Sequence, residues 1–357
     1  MRLGFPRALM YYDYYPFWAG FFYKLGIQLV LSPATNREIM NRGLKLAPDD
    51  TCLPIKILVG HLTALKDVDG IFLPRLISME EKTYLCPKVL GIPESVLFAI
   101  PPEIKVYTVD INWRAGKRKA LQSLMAFGVQ IGCSKSQIRE SFVEAQRWMR
   151  AYQRMRNASW SFEESMERFQ ALMEPGKFDS LGFSQIKEPP KTESLNEERD
   201  YRPKIALVGH SYLTYEAYAN LNLLHKLKEK AQVYLVENVP SPAIEKEQDK
   251  LRKRIFWSHA KKEYGAGAAY IQDAEIDGLI YLSCFGCGTD SMTNDLLARR
   301  ARKAEKPYLV LTIDEHTGEA GLVTRLEAFL DMLERKNSHE AHFSSYGQRL
   351  DSDSGLA

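Results

Sequence analysis

The chain has 357 residues, and at roughly 100–200 residues per domain this length predicts about two domains. Its residues are 45% hydrophobic and 26% charged, which is typical of a globular protein, and no run approaches the ~20 apolar residues of a membrane span. The net charge of +3 does not by itself indicate a nucleic-acid partner. We therefore expect a protein that binds neither a membrane nor nucleic acid.

Alternating strand and helix signals fill the first ~130 residues, as in a parallel α/β unit. Strands are predicted at residues 3–5, 27–31, 70–74 and 105–109, and helices at 15–25 and 53–65. Repeated βα units of this kind predict a doubly wound domain, which we assign to residues 1–135.

A helical pattern follows from residue 137 to about 173, with a stripe of apolar residues at a period near 3.6. The stripe contains Phe142, Ala145, Trp148, Met149 and Tyr152. We assign residues 136–175 to bridging helices. The sequence at 176–202 is rich in proline and charge and has the composition of an exposed linker.

The second α/β alternation begins at residue 203. Strands are predicted at 204–209, 232–236, 278–282 and 307–312, with helices at 217–230 and 324–333. We assign 203–335 to a C-terminal domain and 336–357 to a disordered tail. The fold class expected is therefore α/β, with two Rossmann-like parallel-sheet domains joined by a helical segment.

The five cysteines are too few for a disulfide scaffold in a chain of this length. Residues 1–6 lack a signal-peptide pattern, so the expected location is the cytoplasm, where thiols stay reduced. Reduced cysteines that cluster in a fold favour metal binding or redox chemistry.

Four of these cysteines are predicted in loops next to strands or helices. Cys284 and Cys287 follow a strand, at the edge of an α/β sheet where ligands collect. Cys52 precedes an apolar helix whose positive end favours the thiolate, and Cys86 is followed by a proline in a loop. Cys133 heads the bridging helix and is interpreted as structural.

Spacing alone permits zinc, an iron–sulfur cluster or a redox dithiol at these cysteines. A closed structural zinc site usually draws on two cysteine pairs. Here one pair and two scattered cysteines must come together from both domains, which favours a cubane cluster in the interdomain cleft.

A second group of ionisable residues follows the last predicted strand. Asp314, Glu315 and His316, with Arg325 nearby, could orient a substrate, relay protons or form a helix-capping salt-bridge cluster. A second metal held by His316 and Glu319 is a weaker alternative, because no partner ligands are evident.

The basic clusters at residues 252–254, 261–262 and 299–303 are interpreted as solvated helix faces. A smaller possibility is that they dock an acidic electron donor or the phosphates of a coenzyme. The sequence at 265–270 breaks the dinucleotide fingerprint at its third glycine, and no phosphate loop is present.

The motif order of the chain resembles the acyl-CoA dehydratase activase-related family, which is similar to the iron–sulfur subunits of 2-hydroxyacyl-CoA dehydratases. The likeness runs from residue 1 to about residue 333. It rests on GFPRAL at 4–9, YPFW at 15–18, TCLP at 51–54, CP at 86–87, FGCGTDS at 285–291, DEHTGEAG at 314–321 and TRLEAF at 324–329.

The resemblance implies a [4Fe–4S] cluster held by three cysteines, with one iron open. Carried over residue by residue, it implies Cys52, Cys86 and Cys287 as ligands, with Cys284 either a fourth ligand or a bystander. Larger members of the family carry an actin-like ATPase module, whose phosphate motifs this chain lacks.

The leading hypothesis is low-potential electron transfer together with an ATP-driven activator or a homologous partner subunit. The alternative is a dehydratase-like subunit whose open iron binds a 2-hydroxyacyl-CoA as a Lewis acid. A metal-stabilised scaffold without turnover is the third hypothesis. Acyl-CoA or another small molecule is the expected ligand.

Overall fold

The computed structural model describes residues 1–157, 162–172 and 202–339. Within them, the strands form two four-stranded parallel sheets and one two-stranded parallel sheet. The α/β class with parallel sheets is therefore confirmed. The predicted linker lies outside the described residues except for Arg202, and so does the predicted tail from residue 340 onward.

The N-terminal sheet has the strand order β2-β1-β3-β5. The strands and helices of this half are β1 Arg2–Phe5, α1 Tyr11–Lys24, β2 Gln28–Leu31, α2 Arg37–Leu46, α3 Leu53–Ala64, β3 Gly70–Phe72, β4 Arg75–Ser78, α4 Pro87–Leu90, α5 Ile92–Ser95, β5 Val106–Tyr107, β6 Asp110–Asn112 and α6 Lys117–Gln130. Strand β1 pairs with β2 on one side and with β3 on the other. The strand order thus reverses between β1 and β3, where a crevice opens at the carboxyl ends.

The C-terminal sheet has the order β10-β9-β7-β8. Its elements are β7 Lys204–Gly209, α9 Ser211–Thr214, α10 Leu223–Lys230, β8 Gln232–Leu235, α11 Ser241–Asp249, α12 Ser258–Gln272, β9 Gly278–Cys284, α13 Gly288–Lys303, β10 Tyr308–Ile313 and α14 Glu319–His339. Strand β7 pairs with β8 and β9, so this sheet reverses between β7 and β9. Residues that follow those two strands share one crevice.

Helices α7 Lys135–Asn157 and α8 Phe162–Leu172 occupy the segment predicted to be helical. Helix α7 packs against α1. A Cβ on Gly20 of α1 would lie 2.7 Å from Cγ of Trp148 on α7, so glycine is what allows the two helices to approach this closely. Trp148 is 0% exposed, and this contact fixes α7 against α1.

Helix α1 begins four residues earlier than the sequence predicts and carries Pro16 inside it. Proline has no N–H, so the carbonyl of Tyr12, four residues earlier, loses its helical partner. The hydroxyl of Tyr152 on α7 donates to that carbonyl over 3.3 Å. A residue from another helix thus satisfies the group that Pro16 leaves unbonded.

The helix predicted over 217–230 is shorter in the structure, where α10 begins at Leu223. Leu221 and Asn222 have φ of 57° and 58°, a left-handed conformation that an α-helix does not allow. The Asn220 side chain holds this turn, because it donates to the carbonyls of Leu213 and Thr214. Side-chain bonds to the backbone here outcompete the helix.

Two further outcomes concern the surface. The basic residues 252–254 lie in the connection between α11 and α12, not on a helix, whereas residues 261–262 are in α12 and 299–303 in α13. In the described part of the chain, no helix is both long and apolar enough to cross a membrane.

Candidate metal centre

Three cysteines occupy the N-cap position of a helix. Cys52 precedes α3, Cys86 precedes the single turn of α4, and Cys287 precedes α13. Pro54 and Pro87 lie in the first turns of the first two helices, where proline is tolerated because those N–H groups have no helical partner. The short motifs around these cysteines therefore specify helix starts with a thiol at the positive end.

The four predicted thiols lie close enough to act electrostatically on one another. Cys52 is influenced by Cys86 and Cys287, Cys86 by Cys287, and Cys284 by both Cys52 and Cys287. Cys52 and Cys86 come from the N-terminal half, and Cys284 and Cys287 follow the C-terminal sheet. The structure thus brings together side chains that are more than 190 positions apart in the sequence.

Burial and backbone donors have opposite effects on the cysteines of the N-terminal half. Burial raises the pKa of Cys52 and of Cys86, because a thiolate loses its hydration. The nearby backbone N–H groups of Ile55 and Val89 lower the pKa of Cys52 and of Cys86 in part, although neither sulfur makes a cap hydrogen bond. These N–H groups are ready donors to a thiolate that a metal ion would stabilise.

Cys284 is the last residue of β9 and is 3% exposed, whereas the other four cysteines are partly exposed. Burial raises the pKa of its thiol far above the ordinary value, and the negative charge of Cys52 raises it further. The nearby backbone N–H of Leu53 lowers the pKa in part. Cys284 thus belongs to the group of thiols but is the least accessible member.

Cys133 lies in the turn between α6 and α7. Its pKa is raised by burial alone, with no contribution from the other thiols. The structure therefore separates Cys133 from the group of four.

A buried histidine adjoins this group and was missed by sequence reasoning. His210 follows β7 and is 3% exposed. Its Nε2 lies 2.8 Å from Oδ1 of Asp290 and 3.8 Å from Sγ of Cys287. Its Nδ1 contacts Oε1 of Glu263 as an ion pair without hydrogen-bond geometry, and the ring of Tyr212 stacks on the imidazole at 4.7 Å.

Two carboxylates determine the charge of His210. Burial by itself lowers the pKa of His210, but Asp290 and Glu263 outweigh that effect and raise it well above the ordinary value. Burial would raise the pKa of Asp290, but the imidazolium of His210 lowers it. The result is a buried cation between two anions, directly beside the Cys287 sulfur.

Further hydrogen bonds fix Asp290 in this arrangement. It accepts from the backbone N–H of Cys284 over 3.2 Å and from the Ser283 hydroxyl over 3.3 Å. The Tyr281 hydroxyl donates to Oε2 of Glu263 over 3.0 Å. Because these partners come from β9, α12 and α13, the charge network is built only when the C-terminal domain folds.

A sequence signal for His210 and Asp290 does exist. His210 follows directly on the predicted strand 204–209, and carboxyl-end positions of parallel strands favour functional residues. Asp290 lies inside the FGCGTDS motif at 285–291. Glu263 gives no such signal, because it lies in mid-helix and nothing local marks it as buried.

The segment predicted after the last strand is only partly brought to this region. Glu315 forms an ion pair of 2.6 Å with buried Lys56, which lies on α3 four residues after Cys52. Asp314 instead accepts from the hydroxyl of Thr317 over 2.7 Å, a bond that lowers the pKa of Asp314. His316 is exposed.

The other two predicted residues of this segment face elsewhere. Arg325 donates to the carbonyl of Val310 and lines a cavity of about 210 Å³ beside Thr312 and Thr317. Glu319, the weaker metal candidate, pairs with Lys226 at 2.7 Å. Within the described residues, Glu315 is therefore the one member of this segment that reaches the cysteine region. It does so through Lys56 on α3, the helix that has Cys52 at its N-cap.

Two kinds of metal binding are chemically accessible to this arrangement. One ligand atom from each of His210, Cys287 and Asp290 lies within 4.8 Å of the other two, as in a mononuclear site. The convergent thiols of Cys52, Cys86 and Cys287 instead suit a larger sulfur-ligated group.

A protein-family model described as "CoA enzyme activase uncharacterised domain" matches residues 2–239. The match covers more than half of the chain. It includes Cys52, Cys86 and His210 and ends before Cys284 and Cys287. No curated protein matches the chain.

Proposed function

The chain belongs to this CoA enzyme activase family, and from that premise we propose that it binds a [4Fe–4S] cluster and transfers electrons at low potential. The proposed ligands are Cys52, Cys86 and Cys287. The observation that carries the proposal is the convergence of three helix-capping thiols from both halves of the chain. The likeness to the iron–sulfur subunits of 2-hydroxyacyl-CoA dehydratases supports the same ligand set.

The donor set fits such a cluster for two physical reasons. Cysteine thiolates are the usual ligands of iron–sulfur clusters. In addition, backbone N–H groups of α3 and α4 lie near enough to Cys52 and Cys86 to lower the pKa of each thiol in part, and hydrogen bonds to sulfur help set the reduction potential. When bound, the cluster would supply one-electron chemistry.

Cys284 is proposed to remain a protonated thiol and not to act as a fourth ligand. Its burial and the strong upward shift of its pKa support this assignment. Its sulfur also lies 3.4 Å from the carbonyl oxygen of Phe285, a position suited to a donating S–H. A site with three thiolates keeps one iron position free of protein ligands.

The protein's own residues are proposed to control the charge beside the ligands. The His210 imidazolium is held by Asp290 and Glu263 and lies 3.8 Å from Cys287. A hydrogen-bond donor and positive charge next to a cluster sulfur favour the reduced, more negative form. His210 is thus assigned as a residue that tunes the centre.

A partner protein follows from the same proposal. A low-potential centre needs a donor, and the resemblance supports an ATP-driven activator or a homologous subunit in that role. The family description, CoA enzyme activase, supports a partner enzyme. The chain lacks a phosphate-loop motif, so the nucleotide chemistry is assigned to the partner.

A second candidate function is a dehydratase-like catalytic subunit. The set of three partly exposed cysteines beside one buried cysteine favours it, because it leaves a coordination position for a substrate oxygen. The substrate class would be a 2-hydroxyacyl-CoA thioester. Anaerobic assays with such thioesters and a reducing partner distinguish catalysis from electron transfer alone.

The ligand assignment is tested by iron and sulfide content and electron paramagnetic resonance on anaerobic protein. Cys52→Ser, Cys86→Ser and Cys287→Ser should each lose most of the iron and the signal of the reduced protein. Cys133→Ser is the matched control and should retain both. Cys284→Ser should also retain its iron.

Each variant has an outcome that contradicts its assignment. Full iron retention in any of the first three removes that residue from the ligand set. Loss of iron in Cys284→Ser makes Cys284 a ligand. Wild-type protein without acid-labile sulfide, whatever its metal, rejects the cluster itself.

A further inference from the structure

Arg7 lies just beyond the carboxyl end of β1, beside the residue that follows the neighbouring strand β2. Its backbone N–H donates to the hydroxyl of Ser32 over 2.9 Å, and Ser32 directly follows β2. Open α/β sheets bind ligands outside the carboxyl ends of their strands.

The guanidinium of Arg7 has no acceptor in the described residues. Its side chain is partly buried and its Nε is fully buried without a hydrogen bond. Every other basic side chain with comparable or greater burial in the described residues contacts a carboxylate or a backbone carbonyl. Examples of these are Lys56, Arg156, Lys261 and Arg300.

A partly buried cation without a counter-charge costs free energy, because desolvation is not offset by an ion pair. Within the described residues, ion pairs or carbonyl contacts offset this cost for the other buried basic side chains. At Arg7, a hydrogen-bond acceptor on a bound ligand would offset the cost of desolvation. The unpaired state is therefore evidence for a ligand and not only for a packing arrangement.

The groups around Arg7 define what such a ligand would meet. The charge of Arg7 acts on the pKa of Tyr11, Tyr15 and His61, which places these side chains close to it. Burial, and secondarily Arg7, lowers the pKa of His61 to about 4, so this histidine is neutral. Burial raises the pKa of both tyrosines, which remain neutral phenols.

One acidic group lies near this site without pairing with Arg7. Glu216, from the C-terminal half, accepts from the hydroxyl of Tyr12 over 2.6 Å and from that of Thr35 over 2.7 Å. Thr35 also contacts Nε2 of His61 at 2.9 Å. A single cation with a carboxyl group nearby is better matched to one negative charge than to two.

We propose that Arg7 binds the carboxylate of a small organic monoanion at the carboxyl ends of β1 and β2. The planar guanidinium matches a carboxylate with two parallel hydrogen bonds. The aromatic rings and phenol hydroxyls beside it suit a short hydrocarbon body with few polar groups. The site uses none of the four grouped cysteines and does not depend on the cluster.

Isothermal titration calorimetry with sodium butyrate tests the proposal on the full chain, at constant ionic strength and with inorganic phosphate as the competing anion. Wild-type protein should bind butyrate saturably and more tightly than phosphate. Arg7→Gln should weaken butyrate binding about tenfold or more, which is the size of one lost charge-assisted pair. Arg139→Gln, at an exposed position of α7, is the matched control and should bind as wild type.

Three results overturn the proposal: no saturable butyrate binding by the wild type, equal butyrate affinity in Arg7→Gln, or tighter binding of phosphate. Retained binding in Cys52→Ser is expected and separates this site from the cysteines.

Arginine modification by phenylglyoxal covers the case in which Arg7→Gln does not fold. In the wild type, butyrate should slow the modification of Arg7 severalfold, as mapped by mass spectrometry, and leave that of Arg139 unchanged. An Arg7 modification rate that butyrate does not alter rejects the site.

Discussion

His210→Ala is expected to destabilise the C-terminal domain because it removes one cation from between two buried anions. In the wild type, Nε2 lies 2.8 Å from Asp290 and Nδ1 contacts Glu263, with all three side chains at most 3% exposed. Removing one partner of a buried ion pair typically costs about 3–5 kcal/mol, because the remaining charge stays desolvated. Asp290 keeps its bonds to Cys284 and Ser283, so we expect about 3 kcal/mol.

The pH dependence follows from the directions of the two pKa shifts. The pKa of His210 is raised, so its contribution is complete below the ordinary value of 6.5 and is lost as pH rises through the folded value. The pKa of Asp290 is lowered, so its contribution is complete above 3.8 and is lost as pH falls through the folded value. The destabilisation should therefore be largest at about pH 5–6.5 and smaller at about pH 8.5.

Urea unfolding followed by circular dichroism measures this effect. A Cys287→Ser background for both proteins excludes any contribution from metal binding at the neighbouring sulfur. His225→Ala is the control, because its side chain is 77% exposed and pairs with Glu229 on the surface of α10, where a loss within about 0.5 kcal/mol is expected. A loss below about 1 kcal/mol for His210→Ala, with no pH dependence, would refute the buried ion network.

Two further predictions concern contacts between distant elements. Glu315→Gln should destabilise the protein by about 2–4 kcal/mol in chemical denaturation, because Lys56, whose side chain is 5% exposed, loses its counter-charge; a change within about 0.5 kcal/mol would place the pair with weak surface bridges. Gly20→Ala should cost about 1–3 kcal/mol, because the added Cβ would lie 2.7 Å from Trp148. Gly318→Ala, which has open space around it, should change thermal stability little, and equal melting temperatures for the two glycine variants would contradict the close-packing argument.

Much of the fold is determined by short-range sequence patterns. The strands at 28–31, 204–209 and 232–235 and helix α3 match their predicted ranges within about one residue, because each has the apolar run and the flanking breakers of its element. The exceptions have local causes. The Asn220 side chain donates to backbone carbonyls, which delays the start of α10. Proline favours a helix start, but Pro16 lies inside α1, where the Tyr152 hydroxyl bonds to the carbonyl that Pro16 leaves without a partner.

For the candidate site, the local position of a cysteine and the convergence of the cysteines in space have different origins. The position of Cys52 before a helix is predicted from its local motif, since a proline in the first helical turn acts within that turn. Cys86 is predicted only in a loop, whereas it lies at the N-cap of α4. The convergence of the cysteines is not readable, because it depends on how two sheets lie against each other.

Short-range patterns predict the alternation of strands and helices, the parallel class and the place of Cys52 before a helix, since these depend on neighbours within a few residues. Tertiary packing is needed to see that Glu263 and Asp290 enclose His210, that Lys56 pairs with Glu315, and that the Arg7 guanidinium has no acceptor within residues 1–157, 162–172 and 202–339. Burial determines how strongly two charges interact, because the effective dielectric constant falls away from water. Burial itself is created by elements that are far apart in the chain. A local pattern therefore names the candidate residues, whereas the packing of the domains decides which of them are charged, paired or left to bind a ligand.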